Sequence, residues 1–262
     1  MPGGGVPRVP HGRSCVGMNG TIFTWDHSAR AILVDALSWL EGGGFVVETR
    51  PHDLVIALPG PVRDSHHRAE TFAQCGAALC TAWIVLRVLG IEPMVSFPHD
   101  ADRPDIVAVL GTAGGALSTT RDWTRYLALC RVRTCPPGTT TTPVSPRALA
   151  ELAARICWPR ATVLPARPEW GLALRQLGFG TFGLSALLVL TEEDTWDDQV
   201  LAGAAVHDLR IEASTSGIAS DVVTPVTLRP GMRARLPAAL DLPGVPQAVV
   251  RVGSATPAEG AP

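Results

Sequence analysis

At 262 residues, with 46% apolar side chains and a net charge of −2, the chain can form one large domain or two small ones. All 22 basic residues are arginines, and they are scattered rather than striped, which argues against a nucleic-acid-binding protein. The longest uncharged stretches fall short of the roughly 18 to 20 apolar residues that span a bilayer. We therefore expect a cytoplasmic protein with no membrane segment.

The first half of the chain predicts helices at 27–40 and 69–89 and strands at 45–49, 53–58, 92–97 and 105–110. The turn at Arg50-Pro51-His52 is expected to join the first two strands as a hairpin. The helix at 69–89 carries only two charges, so it must be buried on several sides. Gly90 is expected to end it in the left-handed conformation. Residues 111–115 are expected to form a glycine-rich loop after the last strand. Residues 1–17, rich in Gly and Pro, predict a flexible tail, which leaves Met18 as an alternative start.

The second half predicts helices at 121–129, 145–157, 168–177, 196–215 and 229–240, and strands at 161–164, 184–191, 218–223 and 248–252. Ser145 is the expected N-cap of the helix that begins at Pro146. Residues 131–143, rich in Thr and Pro, predict a loop, and residues 255–262 a flexible C-terminal tail. Because helices and strands do not alternate regularly, the predicted fold class is α+β.

One pattern occurs twice in the chain. Gly76-Ala77-Ala78-Leu79 is followed by Gly90, and Gly203-Ala204-Ala205-Val206 is followed by Gly217 at the same spacing, each between apolar runs that predict strands. A glycine in a buried helix lets another backbone approach closely. We therefore expect two related halves, residues 18–130 and 131–254, that form an intrachain pseudo-dimer in which the two helices pack on each other.

The chain has six cysteines and no C-x-x-C pair: Cys15, Cys75, Cys80, Cys130, Cys135 and Cys157. A chain of this length does not need disulfides to fold, so we expect buried free thiols. The alternative is that Cys130 and Cys135 are redox-active, because the neighbouring arginines could lower a thiol pKa.

Several segments follow one another in a recognisable order: Arg68-Ala69-Glu70, Cys75 to Leu79, Leu89-Gly90, Phe97 to Pro104, Ala186 to Leu190, Ala202-Gly203, Ser216 to Ala219 and Gly244 to Gly253. Together they resemble the flavin-binding nitroreductase family, and more closely its Acg-like actinobacterial branch, over most of residues 27–254. The resemblance implies an α+β sandwich of two nitroreductase-like halves with FMN at their interface. It also implies hydride transfer from NAD(P)H through FMN to a small-molecule acceptor, or flavin held without turnover.

The resemblance also suggests which residues contact the flavin. Arg131 and Thr134 match a phosphate-binding stretch, and Arg133 could partly replace a missing arginine; these groups suit phosphate because they give charge-assisted hydrogen bonds. Ser38 matches a position near the flavin ring, and Ser220-Asp221-Val222 is expected to give backbone contacts. The resemblance assigns no catalytic residue, and no metal ligand is predicted.

Departures from the family pattern keep an alternative open. In the segment Ala36 to Phe45, only Ala36 and Ser38 match outright, and the expected amide donors are absent. The stretch 170–182 is shorter than in the family, and residues 254–262 contain no arginine. The alternative is a flavin-free descendant that acts as a structural or interaction subunit. For either function the chain is expected to be a monomeric pseudo-dimer or a homodimer, and a protein partner is a further possibility.

Two further motifs favour ordinary structure over chemistry. Gly111 to Gly115 follows a predicted strand but lacks the spacing of a nucleotide-binding loop, and no Lys occurs anywhere in the chain. His66-His67 and the two Pro-His-Asp tripeptides at 51 and 98 have metal-binding residue types, yet exposed turns and a polar helix start are the favoured interpretation. No G-x-S-x-G motif supports a hydrolase.

Overall fold

The computed structural model describes residues 27–40, 44–60, 65–134, 140–176, 185–222 and 232–255. The predicted tails, 1–17 and the part of 255–262 beyond Ala255, lie outside the described residues. The helices are α1 His27–Ser38, α2 Ser65–Val88, α3 Thr120–Thr134, α4 Pro146–Ala154, α5 Gly171–Gln176, α6 Trp196–Thr215 and α7 Met232–Leu240, with a 3₁₀ turn at Pro168–Trp170 before α5. The strands are β1 Val46–Thr49, β2 Leu54–Ala57, β3 Ile91–Ser96, β4 Ile106–Gly115, β5 Thr140–Thr142, β6 Ala161–Pro165, β7 Ala186–Thr191, β8 Ala219–Val222 and β9 Val245–Ala255.

The strands form two antiparallel sheets, so the predicted α+β class is confirmed. The first sheet has the order β1-β2-β4-β3, and the second has the order β5-β9-β7-β6, with β8 also paired to β9. The predicted hairpin is β1 and β2, whose register joins Thr49 to Leu54 across the turn. Ser145 caps α4 as predicted, since its side chain accepts a hydrogen bond from the backbone N–H of Ala148.

The two glycine-containing helices pack directly on each other, as predicted. α2 also lies against the first sheet and α6 against the second, so the helix pair lies between the sheets. A Cβ placed on Gly76 would overlap the carbonyl oxygen of Val200, and one on Gly203 would overlap that of Ala73. The backbones therefore approach at a distance that only glycine permits.

The strands around each central helix are connected in the same way. β4 pairs with β2 and β3, and β9 pairs with β7 and β8. Since Val250 of β9 pairs with both Leu187 and Val222, β7 and β8 lie on opposite edges of β9. The orders β1-β2-β4-β3 and β6-β7-β9-β8 therefore correspond, with α2 between β2 and β3 and α6 between β7 and β8. Gly90 and Gly217 follow the helices with φ of 76° and 67°.

The described part of the hydrophobic core has two main clusters, and a third, small one lies on the first sheet at Val55, Ala57 and Ile106. The larger cluster fills the space between the sheets and includes α1, α2 and α6. A smaller cluster covers the outer face of the second sheet, where Leu236 and Leu240 of α7 and Trp170 pack near Leu188 and Leu190. The second sheet is therefore buried on both faces, which explains why β7 is a continuous apolar run.

Two predictions for loops were wrong. Within the segment 131–143, residues 131–134 continue α3 and residues 140–142 form β5, so these parts are not a loop; residues 135–139 lie outside the described residues. No helix breaker precedes Pro136, so nothing in the sequence stops the helix earlier. Residues 111–115 belong to β4 and pair with β3, with a register shift at Glu92/Pro93 that accommodates the glycines. The predicted boundary between the halves, at 130/131, falls within α3.

Within the described part of the chain, one helix segment, 67–88, is long and apolar enough to cross a membrane by length and composition. It belongs to α2, and most of it is buried inside the protein. Its apolar surface is accounted for by its contacts with the first sheet and with α6.

Candidate functional site

The residues predicted to bind phosphate lie in the last turn of α3. Arg131 is exposed there, while the side chains of Arg133 and Thr134 lie outside the described residues. A helix C-terminus carries a partial negative charge, which disfavours phosphate and favours arginine. This turn therefore fits a phosphate only through the charge of its arginines.

The other predicted flavin residues differ in the polar groups that they present to a ligand. The Ser38 hydroxyl donates to the carbonyl oxygen of Asp35 in its own helix at 2.7 Å, so it is already engaged. Ser220-Asp221-Val222 lies in β8, and the Asp221 carboxylate pairs with Arg251 of β9. In the described part of the chain β8 pairs through one edge only, so its second edge suits the predicted backbone contacts.

Chain connectivity keeps the end of α3 and strand β8 in the same region. β5 lies beside β8, and only five residues lie between Thr134 and Thr140, so the distance between their Cα atoms is at most roughly 20 Å. Burial raises the pKa of Tyr126 in α3, and the nearby charge of Asp35 in α1 adds to the rise, so the end of α1 is also near α3. The fit of these residues to FMN is partial. They offer the exposed Arg131 and the second edge of β8, and among the described residues no set of polar side chains points to a common place for the flavin ring.

A separate cleft of about 330 Å³ opens between the end of α2, the first half of α3 and the residues that follow α4. None of the predicted flavin residues is among the described residues that line it. Its polar lining is dominated by arginines and carboxylates, and two tryptophans form an apolar wall: Arg87, Arg121, Arg125, Arg155, Asp122, Asp208, Trp83 and Trp158. The volume lies in the range of small-molecule sites.

The cleft rests on two buried carboxylates of α6. Asp208 accepts hydrogen bonds from Arg125 and, at 3.1 Å, from the indole N–H of Trp158. Glu212 lies one turn further on and meets the guanidinium groups of Arg121 at 3.1 Å, Arg125 at 3.3 Å and Arg155 at 3.7 Å. Three cations therefore share one buried carboxylate.

Burial sets the protonation of the groups on α6. It raises the pKa of the Asp208 carboxyl, although the positive charge of Arg125 opposes the rise. It lowers the pKa of His207 to about 3, so this imidazole is neutral where it hydrogen-bonds Thr81 of α2 at 3.2 Å. The neutral pair satisfies two polar groups where the central helices meet.

The loop after β3 contains the second Pro-His-Asp tripeptide and has a structural role. The imidazole of His99 lies 4.6 Å from the ring of Trp196 and its Nε2 is 3.2 Å from Asp197 Oδ2. Asp100 accepts hydrogen bonds from the backbone N–H groups of Asp102 and Arg103. This loop docks on the start of α6, and no cluster of three or more metal-ligating residues occurs in the described part of the chain.

The cysteines agree in part with the prediction of buried thiols. Cys75 and Cys80 are buried, and burial raises the pKa of Cys75 to about 12 and that of Cys80 well above its usual value. Cys157 is exposed, which corrects the prediction for that residue. The suggested partner of Cys130, Cys135, lies outside the described residues.

Sequence reasoning missed the cleft, although a signal was present. Asp208 and Glu212 stand four residues apart in a helix that is buried nearly all round, and Arg121 and Arg125 have the same spacing in α3. Buried carboxylates require cationic partners. The arginines of α3 and the carboxylates of α6 lie more than 80 residues apart in the chain, so their pairing cannot be predicted from the local sequence pattern.

Comparison with known proteins identifies the fold only. No family model and no curated protein matches the chain. Among solved structures, a provisionally assigned nitroreductase from Anabaena variabilis is similar, with a TM-score of 0.54 and 8% identity over 85% of this chain and 74% of that one. The chain thus has a nitroreductase-like fold at the level of its overall α+β architecture.

Proposed function

We propose that this chain is a nitroreductase-type flavoprotein that binds FMN between its two halves. The proposal is carried by one observation: two helices packed glycine to glycine between sheets of corresponding strand order. This is the arrangement that the resemblance associates with an intrachain pseudo-dimer around FMN. The similar solved structure, itself assigned as a nitroreductase, supports the same interpretation.

In this proposal the chain holds the cofactor by charge and backbone contacts. Arg131 and Arg133 bind the phosphate, with the Thr134 hydroxyl beside them, and the open edge of β8 contacts the ring. FMN, when bound, supplies hydride transfer from NAD(P)H to a small acceptor. The protein's own contribution is to hold the flavin, whether or not it turns over.

A fluorescence titration with FMN tests this proposal. The wild-type chain is expected to quench FMN fluorescence saturably, and the double variant Arg131→Ala/Arg133→Ala to bind at least about tenfold more weakly, since charge-assisted contacts to phosphate are lost. Arg147→Ala is the matched control, because Arg147 is an exposed arginine of α4 that pairs only with Glu151 in the described part of the chain. Equal affinity in all three proteins would contradict the phosphate assignment.

A flavin-free interaction subunit is the second candidate, and specific observations favour it. Ser38 bonds its own helix, and Trp123 and Leu127 are 51% and 54% exposed, four residues apart on α3. Exposed apolar residues at this spacing are typical of a contact surface. If a partner or second copy covers them, Trp123→Glu/Leu127→Glu should lower the mass measured by light scattering; an unchanged mass would contradict this candidate.

A further inference from the structure

The arginines that line the cleft have N–H groups available for a ligand, whereas its carboxylates are already paired. Glu212 is 4% exposed and is shared by three guanidinium groups, while Arg121 and Arg155 keep 61% and 46% of their side-chain surface exposed. In the described part of the chain, Arg121 makes its hydrogen bonds through Nη2 alone. Two arginines at the mouth of the cleft therefore retain N–H groups for a further anion.

The lining carboxylates are, in contrast, already engaged. Asp122 accepts from the backbone N–H and the hydroxyl of Thr119, at 2.8 and 2.7 Å, and from Arg87. Asp208 has one oxygen on Arg125 and the other on Trp158. Neither carboxylate has an oxygen without a partner, so neither favours a cationic ligand in the cleft.

The apolar wall of the cleft is formed by two aromatic rings that contact each other. Trp83 of α2 and Trp158 pack edge to face with ring centroids 5.6 Å apart. The hydrogen bond from the Trp158 indole to Asp208 fixes that ring. A flat apolar group can therefore pack against this wall while an attached anion reaches the arginines.

We propose that this cleft binds a small aromatic carboxylate, with its carboxylate on Arg121 and Arg155 and its ring against Trp83 and Trp158. Arginine suits this role because its planar fork matches a carboxylate. The site uses none of the residues assigned to FMN, so it does not depend on the flavin proposal.

Benzoate is the probe. Its binding to the full chain is measured by the change in tryptophan fluorescence and by isothermal titration calorimetry. Wild-type protein is expected to bind benzoate with a Kd on the order of 1 mM or lower, and Arg121→Ala/Arg155→Ala to bind at least about tenfold more weakly. Buried Glu212 keeps Arg125 as its partner in this variant, so the variant should remain folded, which its unfolding curve checks. Arg147→Ala is expected to bind like wild type.

Three results with benzoate and its analogue would overturn this site, and a fourth concerns FMN. They are the absence of benzoate binding by the wild-type chain, equal binding by the double variant, and equal binding of benzyl alcohol, which has a similar ring without the charge. Displacement of benzoate by FMN would also overturn it, because the cleft would then belong to the flavin site. Failure of FMN to bind leaves the benzoate result unaffected, so the two proposals fail separately.

Discussion

At the scale of single residues, the buried carboxylates of α6 require hydrogen-bonding and cationic partners from other elements. Asp208 and Glu212 lie in a helix surrounded by apolar side chains, and their partners come from α3 and from the residues after α4. Ion pairs at this depth contribute little net stability, but losing one partner leaves an uncompensated buried charge. These carboxylates therefore fix how α3 and α4 sit against α6.

The substitution Asp208→Asn should lower the free energy of unfolding by about 3 kcal/mol, since Arg125 keeps only Glu212 as a buried partner. Urea unfolding at pH 7 measures the change. Glu151→Gln, which removes the exposed partner of Arg147, should change it by less than about 0.5 kcal/mol. Similar losses in both variants would show that the buried cluster has no special role.

The neutral His207 predicts a dependence of stability on pH. Folding lowers the pKa of His207 from 6.5 to about 3, so below pH 6.5 the unfolded chain binds this proton more readily. The contribution of His207 to stability is thus complete above pH 6.5 and is lost as the pH falls toward 3, by about 1.4 kcal/mol per pH unit.

Urea unfolding of wild type and His207→Asn at pH 7, 6, 5 and 4 measures this loss. The free energy of unfolding of wild type minus that of the variant should decrease as the pH falls. The reason is that asparagine carries no titrating proton but can still bond Thr81. A constant difference for His207→Asn would contradict a neutral buried imidazole.

At the scale of elements, the packing of α2 on α6 depends on the two glycines. Gly203→Ala places a methyl group into the backbone of Ala73, so the helices must separate, and we expect a loss of about 3 kcal/mol or more in the free energy of unfolding. Gly171→Ala is the control, because nothing lies within 4 Å of its added Cβ at the start of α5. Thermal and urea unfolding check both; equal stability would mean that the close helix contact does not exist.

The elements also show which features could be predicted from sequence. α6 begins and ends where the sequence indicates, because Thr195 forms a capping box with Asp198 and Gly217 supplies a left-handed residue. The prediction ended α3 at Leu129, too early, although the first helix breaker, Pro136, comes only two residues after the observed end at Thr134. The cleft was missed because its residues come from separate elements, and their charges pair only through tertiary packing.

At the scale of the whole molecule, the two sheets of corresponding strand order and the helix pair between them form a nitroreductase-like architecture. Gly76 and Gly203 make the close contact between the two central helices. The residues expected to contact flavin are less well placed for that role: the Ser38 hydroxyl bonds its own helix, and Arg131 lies at a helix C-terminus. Flavin binding is therefore the claim that most needs a measurement.

The most direct test is the response of the purified wild-type chain to FMN. A ligand that binds only the folded state raises the melting temperature, and the rise grows with the ratio of ligand concentration to Kd. We predict that FMN raises the melting temperature and that its fluorescence is quenched to saturation at a fixed ratio of flavin to chain. A colourless protein that shows neither quenching nor any rise in melting temperature at saturating FMN would contradict the account.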